Sequence, residues 1–318
     1  MIFCSNFNPF IYNVLICIKG WWDSPVKIDA VFSGGGVKAY TFIGALKGIE
    51  KKGLKIRRVA GTSAGAIISS LIIANYSPKE IEEIFLSLPL KDFLDSPKYT
   101  TILPFTKWYN LFFKMGFFKG NKLERWLEEM LAKKDIHTFE DIKNGHLKII
   151  VSDITLNRLI VLPDDLEKVY GISPANFPVA KAVRISAGYP LFFMPGTIEG
   201  QNTQAKSLLV DGGIVSNFPL WLFTNNHGRS KRPILGLKII SNDRHQNINN
   251  MIDMLQAILL TMKQSYDERV IDKYFDDIIF LRVNDIDTMN LNISEDDKLQ
   301  MIASGEKITD KFLSTWPK

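Results

Sequence analysis

Cysteine is nearly absent from this chain: the 318 residues hold two, Cys4 and Cys17, both within the first twenty. Neither can staple a core further along or complete a thiolate metal cluster, which excludes a disulfide scaffold and fits a reducing compartment. Histidine is scarce as well, with only His137, His146, His227 and His245. Repeats, low-complexity tracts and Pro/Gly/Ser-rich linkers are missing, which argues for one domain over residues 26–318 rather than an array. No charge sign dominates: 39 Lys and Arg against 34 acidic residues leave a formal +5, compatible with an anionic surface but demanding no nucleic acid. The apolar stretch Phe10 to Ile18 is too short to span a bilayer, follows no basic segment and precedes no clear cleavage site. Residues 1–25 therefore read as a peripheral anchor, a poorly ordered tail or the product of a misplaced start ahead of Val26.

What the chain does have is ample core material, 46% hydrophobic residues with 23% charged, as in an ordinary globular protein. Lys27 to Phe32 is a β-branched and aromatic run that ends on Ser33-Gly34-Gly35-Gly36, with a helical pattern from about Lys38 to Lys52. Leu54 to Ala60 repeats the succession: a strand, a turn at Gly61, then the apolar helix Ala64 to Asn75. Strand, turn and helix twice over predict an α/β fold with parallel strands. Ser77-Pro78-Lys79-Glu80 predicts a helix start with a capping box. Further strands are expected at Leu147–Ser152, Arg158–Leu162, Leu208–Asp211, Ile234–Ile240 and Ile278–Val283. Helices are expected near Asn121–Lys133, Val179–Ala187, Asn249–Lys273 and Asp296–Phe312.

Three short segments carry chemistry. Gly61-Thr62-Ser63-Ala64-Gly65 matches G-x-S-x-G between an expected strand and an apolar helix, the context in which a serine is held on a sharp turn as a nucleophile. The helix N-terminus adds partial positive charge beside Ser63. Gly34, Gly35 and Gly36 form a second turn whose backbone N–H groups can face an anion, a phosphate or an oxyanion. A dinucleotide fingerprint fails there, because Arg57-Arg58-Val59-Ala60 offers no acidic residue for a ribose. A Walker pattern fails because Lys38 precedes neither Ser nor Thr. Asp211-Gly212-Gly213 ends the apolar run Leu208-Leu209-Val210, setting a carboxylate where burial makes it a better base. A histidine triad would need His227 or His245, the two that follow Asp211, and both sit in polar, turn-like surroundings.

Together the glycine box, the G-x-S-x-G serine and the D-G-G aspartate, in that order, resemble the patatin-like phospholipase family. Ser152-Asp153, Ser186-Ala187-Gly188-Tyr189-Pro190 and Asn217-Phe218-Pro219 extend the resemblance over roughly residues 27–240. Ala39 departs from it, since the box commonly carries its last glycine there. The resemblance implies a three-layer α/β/α sandwich with a mostly parallel central sheet. It implies a Ser63–Asp211 dyad, an oxyanion hole at Gly34, Gly35 and Gly36, and Lys38 near a substrate phosphate. The implied reaction is hydrolysis of lipid acyl esters through an acyl-enzyme, with no metal or cofactor required. A membrane lipid is the implied substrate and a bilayer surface the place of action, with an activating protein left open and the location either intracellular or in another cell after delivery. A triad esterase and a non-catalytic lipid-binding protein are the competing readings.

Phe105 to Phe118 places aromatics at 105, 108, 109, 112 and 113, the spacing of one helical face, among Lys98, Lys107, Lys114, Lys119 and Lys122. Two readings stand side by side: a cap around residues 92–122 that engages membrane, and an aromatic helix packed on the core.

Overall fold

The computed structural model describes residues 25–95, 111, 113–202, 206–224, 232–241, 248–283 and 291–316. Ten strands follow in chain order among the described residues: β1 Val26–Phe32, β2 Leu54–Thr62, β3 Gly116–Phe118, β4 Leu147–Asp153, β5 Arg158–Leu162, β6 Leu191–Phe193, β7 Gly196–Ile198, β8 Ser207–Asp211, β9 Ile234–Ser241 and β10 Ile278–Val283. Among the same residues seven α-helices carry the crossovers and flanks: α1 Tyr40–Lys51, α2 Ala64–Ile73, α3 Pro78–Ser87, α4 Asn121–Ala132, α5 Val179–Ser186, α6 Met251–Tyr274 and α7 Glu295–Leu313. The seven strands expected from sequence are all present, and α3 begins with the Ser77–Glu80 capping box.

The main sheet runs β10-β9-β1-β2-β4-β8-β7, with β5 added against β4. Its five strands from β10 to β4 are parallel, as the strand-turn-helix rhythm predicts. Strands β5, β7 and β8 depart from that expectation and pair antiparallel. The physical reason is that a short apolar run has the same alternation read in either direction, so only the connection decides its sense.

Alternation along β1 sorts the core into layers. Ile28, Ala30 and Phe32 pack with α1, α2 and α7, while Val31 on the opposite face joins Ala60, Phe218 and Leu220, with Ile271 and Tyr274 of α6 resting against them. Farther along the first face, Val59, Ile149 and Val151 meet α4 and α5. Helices thus cover both faces of a mostly parallel sheet. No helix among the described residues is long and apolar enough to cross a membrane.

The segment expected as a cap is described only in part. Phe105, Trp108, Tyr109 and Phe112 lie outside the described residues, as do residues 1–24. The end of the aromatic run corrects the helical expectation: Met115 takes a positive φ of 58°, and Gly116–Phe118 pairs as a parallel strand with Leu191–Phe193. The Phe118 ring stacks 4.8 Å from that of Phe192, a contact that helical spacing would not provide. Upstream, Asp95 accepts the amides of Gly120 at 2.6 Å, Asn121 at 2.8 Å and Lys122 at 3.2 Å, capping α4 from 25 residues away.

Candidate active site

The carboxyl ends of the central strands carry the chemistry. β1 ends at the glycine turn and β2 at Ser63, which caps α2 with φ 55° and ψ −126°. Such a conformation is strained for any residue with a side chain, at a cost of about 1–3 kcal/mol, and it persists where the surroundings impose it. Both flanking glycines are needed for the bend: a Cβ on Gly61 would sit 2.3 Å from the Gly65 carbonyl oxygen, and one on Gly65 2.4 Å from that of Phe32. The Ser63 amide donates to Ser186 Oγ at 3.0 Å, and Ser186 Oγ donates to the Ile150 carbonyl at 2.7 Å, tying the elbow to α5 and β4. The N-terminus of α2 points its partial positive charge at the same place.

Register explains how an antiparallel strand brings Asp211 to the same end of the sheet as Ser63. Thr62 lies opposite Ile150, and Val151, the next residue of β4, lies opposite Asp211. β8 touches β4 only near its carboxyl end, so Asp211 arrives level with Ser63. Its amide donates to the Gly188 carbonyl at 3.0 Å and its Oδ1 accepts the Gly213 amide at 2.7 Å. Burial pushes the Asp211 carboxyl above the usual carboxylate range, while the Ser63 side-chain hydrogen bond, the charge of Lys263 and the Gly213 amide pull the other way. Ser63 and Asp211 thus face the same cavity, and no histidine among the described residues lines it. Tyr189, close by, has its hydroxyl pushed up to about 12 by burial and by the Asp211 charge.

Gly34, Gly35 and Gly36 line the same cavity as Ser63 and Asp211. The Gly34 N–H donates to the Asn217 carbonyl at 3.2 Å. Lys38 lines the cavity too but is buried, on the 3-10 turn that follows the glycines. His227 and His245, the triad alternatives, lie outside the described residues.

The cavity holds about 540 Å³, enough for much of an acyl chain, and Phe85, Phe93, Trp126, Phe192 and Phe193 make one wall aromatic. The opposite wall is polar and escaped the sequence reading. There Asp267 of α6 accepts from Lys238 of β9 and, at 3.2 Å, from Asn217 Nδ2, with Lys263 one helical turn away. Asn217 had drawn notice only as family context. Lys238, Lys263 and Asp267 carry no local motif, since an ionic cluster between a strand and a distant helix has no sequence period.

The family model described as "Patatin-like phospholipase" matches residues 30–224. The chain is 39% identical over 293 residues to the uncharacterized protein YqhO of Bacillus subtilis, covering 91% of this chain and 99% of that one. It is 26% identical over 289 residues to probable lipid hydrolase 463L of Invertebrate iridescent virus 6, covering 87% and 86% respectively. Among solved structures it is similar in fold to VipD from Legionella pneumophila, with a TM-score of 0.55 at 15% identity over 92% of this chain and 67% of that one. ExoU, in its complex with SpcU from Pseudomonas aeruginosa, gives a TM-score of 0.51 at 15% identity, with 92% of this chain aligned to 52% of ExoU.

Proposed function

The chain belongs to the patatin-like phospholipase family, and on that premise we propose that it is a lipid acyl hydrolase of phospholipase A or lysophospholipase type, working through a Ser63–Asp211 dyad. The observation that carries this reading is that Ser63, on a strained strand-to-helix turn, and the buried Asp211 carboxyl face one cavity within reach of each other. Asp211 takes the Ser63 proton as the serine oxygen bonds to the ester carbonyl carbon, and the carbonyl electron pair moves onto its oxygen. The Gly35 and Gly36 amides and the α2 N-terminus stabilise that oxyanion. Collapse expels the alcohol, which leaves with the proton held by Asp211. Water then gives a proton to Asp211 as its oxygen bonds to the acyl carbon; the bond from that carbon to the Ser63 oxygen breaks, Ser63 takes the proton back from Asp211, and the fatty acid is released.

The aromatic wall suits the acyl chain, and Lys38, beside the glycine turn, is the candidate for a substrate phosphate. Work at a bilayer surface is supported by an apolar stripe on the outer side of α6, where Met251, Met254, Leu255, Ile258 and Met262 recur at helical spacing and stay exposed. A protein activator is compatible with this reading but nothing in it requires one. The test is fatty-acid release from phosphatidylcholine and lysophosphatidylcholine vesicles with calcium chelated throughout. Wild type is expected to release fatty acid, while folded Ser63→Ala and Asp211→Asn proteins release none; near-normal release by Asp211→Asn would refute the dyad.

A further inference from the structure

The polar wall of the catalytic cavity contains more charge than substrate positioning explains. Four ionisable groups meet there. Asp211 ends β8, Lys238 comes from β9, and Lys263 and Asp267 lie one turn apart on α6, which packs against the turn Gly212–Ile214. Lys238 is bonded to Asp267 Oδ2, which also accepts from Asn217. That pair neutralises itself. Lys263 and Asp211 are what is left, one positive and one negative, on the same cavity and within electrostatic reach of each other.

We propose that Lys263 is the fixed counter-charge of Asp211, a positioning residue that keeps the carboxylate ionised and able to accept the Ser63 proton. The arithmetic of charge gives it a second effect. With all four groups ionised the cluster is neutral, so when Asp211 takes a proton the cluster becomes +1 at the moment an oxyanion of −1 forms at the glycine turn. Such compensation is worth more the better a site is screened from water, because preorganised charges cost no solvent reorganisation.

The surroundings are consistent with this. Facing Asp211 are the Ser63 hydroxyl, Tyr189, the Gly213 amide and Lys263. Facing Lys263 are Asp211, Asp267 and Lys238. Of these, Lys263 is the cation acting on Asp211, and it opposes the upward push of burial on the carboxyl. Burial in turn lowers Lys263, and its two carboxylate neighbours hold it up. Each charge is thus expensive alone and sustained by the other.

Two measurements test the inference. The first needs no catalysis: a double-mutant cycle on urea unfolding near neutral pH with Lys263→Met, Asp211→Asn and the double variant. Lys263→Met is expected to lower the midpoint markedly in the presence of Asp211 and much less in the Asp211→Asn background. Additive effects would overturn the proposal.

The second rests on the Ser63–Asp211 reading and follows kcat/KM against pH on a soluble nitrophenyl ester. Lys263→Met is expected to move the acidic limb to higher pH, losing roughly tenfold at low pH for each unit of displacement and regaining most of it on the alkaline side. Lys263→Arg is expected to restore the wild-type limb, which a merely structural role would not do. An unmoved limb in a folded Lys263→Met protein would overturn the catalytic part. Hydrolysis persisting in Ser63→Ala, run beside these, would instead refute the dyad, while the unfolding cycle would still judge the counter-charge.

Discussion

Strain at Ser63 can be measured by removing the serine in two ways. Ser63→Ala and Ser63→Gly both delete the hydroxyl and its bond to Asp211, so the difference between them isolates the backbone. At φ 55° and ψ −126° an alanine keeps the strain of a Cβ at positive φ, about 2 kcal/mol. Glycine relieves it but loses roughly 0.5–1 kcal/mol more chain entropy on folding. The net expectation is that Ser63→Gly is more stable than Ser63→Ala by about 1 kcal/mol, the reverse of the order of these residues in a helix interior. Urea denaturation read by circular dichroism resolves such a difference from the midpoints at a common slope. Equal midpoints, or a more stable alanine variant, would mean that the elbow holds no strain and that this turn is relaxed in solution.

Two further outcomes follow from buried groups. Burial raises the Asp211 carboxyl, so the folded chain holds a proton that the unfolded chain gives up near 3.8. The stabilisation from that proton is complete below this value and lost as pH rises through the folded pKa. Asp211→Asn should therefore match wild type in strong acid and become the more stable of the two as pH approaches neutrality; thermal melts across pH check this, and a constant difference would contradict it. Away from the site, Tyr170 donates to Asp153 Oδ2 at 2.6 Å with both groups buried. Tyr170→Phe should cost about 1.5–3 kcal/mol in unfolding free energy, the range for a hydrogen bond to a charged acceptor, whereas a loss below about 0.5 kcal/mol would mean that the phenol is not tied to Asp153.

How much of this was legible in the sequence depended on how local each feature is. Ser63 and the glycine turn could be read because strand, turn and helix are adjacent in the chain and their steric demands fall on neighbouring residues. Asp211 could be read from its own strand and the glycines behind it. Strand direction could not: Arg158–Leu162 and Ser207–Asp211 look like any short apolar run, and their antiparallel pairing depends on where the connections return. The acceptor of the Gly34 amide, the Asn217 carbonyl, could not be read because it lies far along the chain. Lys263 and Asp267 were invisible for the same reason, and α6 hid them further by being apolar on two sides, toward the cavity and outward. Phe117 and Phe118 continued an aromatic spacing that Met115 interrupts with its backbone, a break that side-chain pattern does not register.

Asp95 has a consequence for how this protein can change over evolutionary time. By gripping the amides of residues 120 to 122, it brings the departure and return of the intervening chain to one point, so the length of that connection can vary while its ends stay fixed. The entropy of closing such a loop grows only with the logarithm of its length, and doubling it costs roughly 0.6 kcal/mol. Phe93 before the loop lines the cavity, and Phe118 at its end packs on Phe192 and Phe193, which line it too. Insertions, deletions and wholesale exchange between these points can therefore be accommodated beside the cavity while Ser63, Asp211 and the sheet beneath them stay as they are.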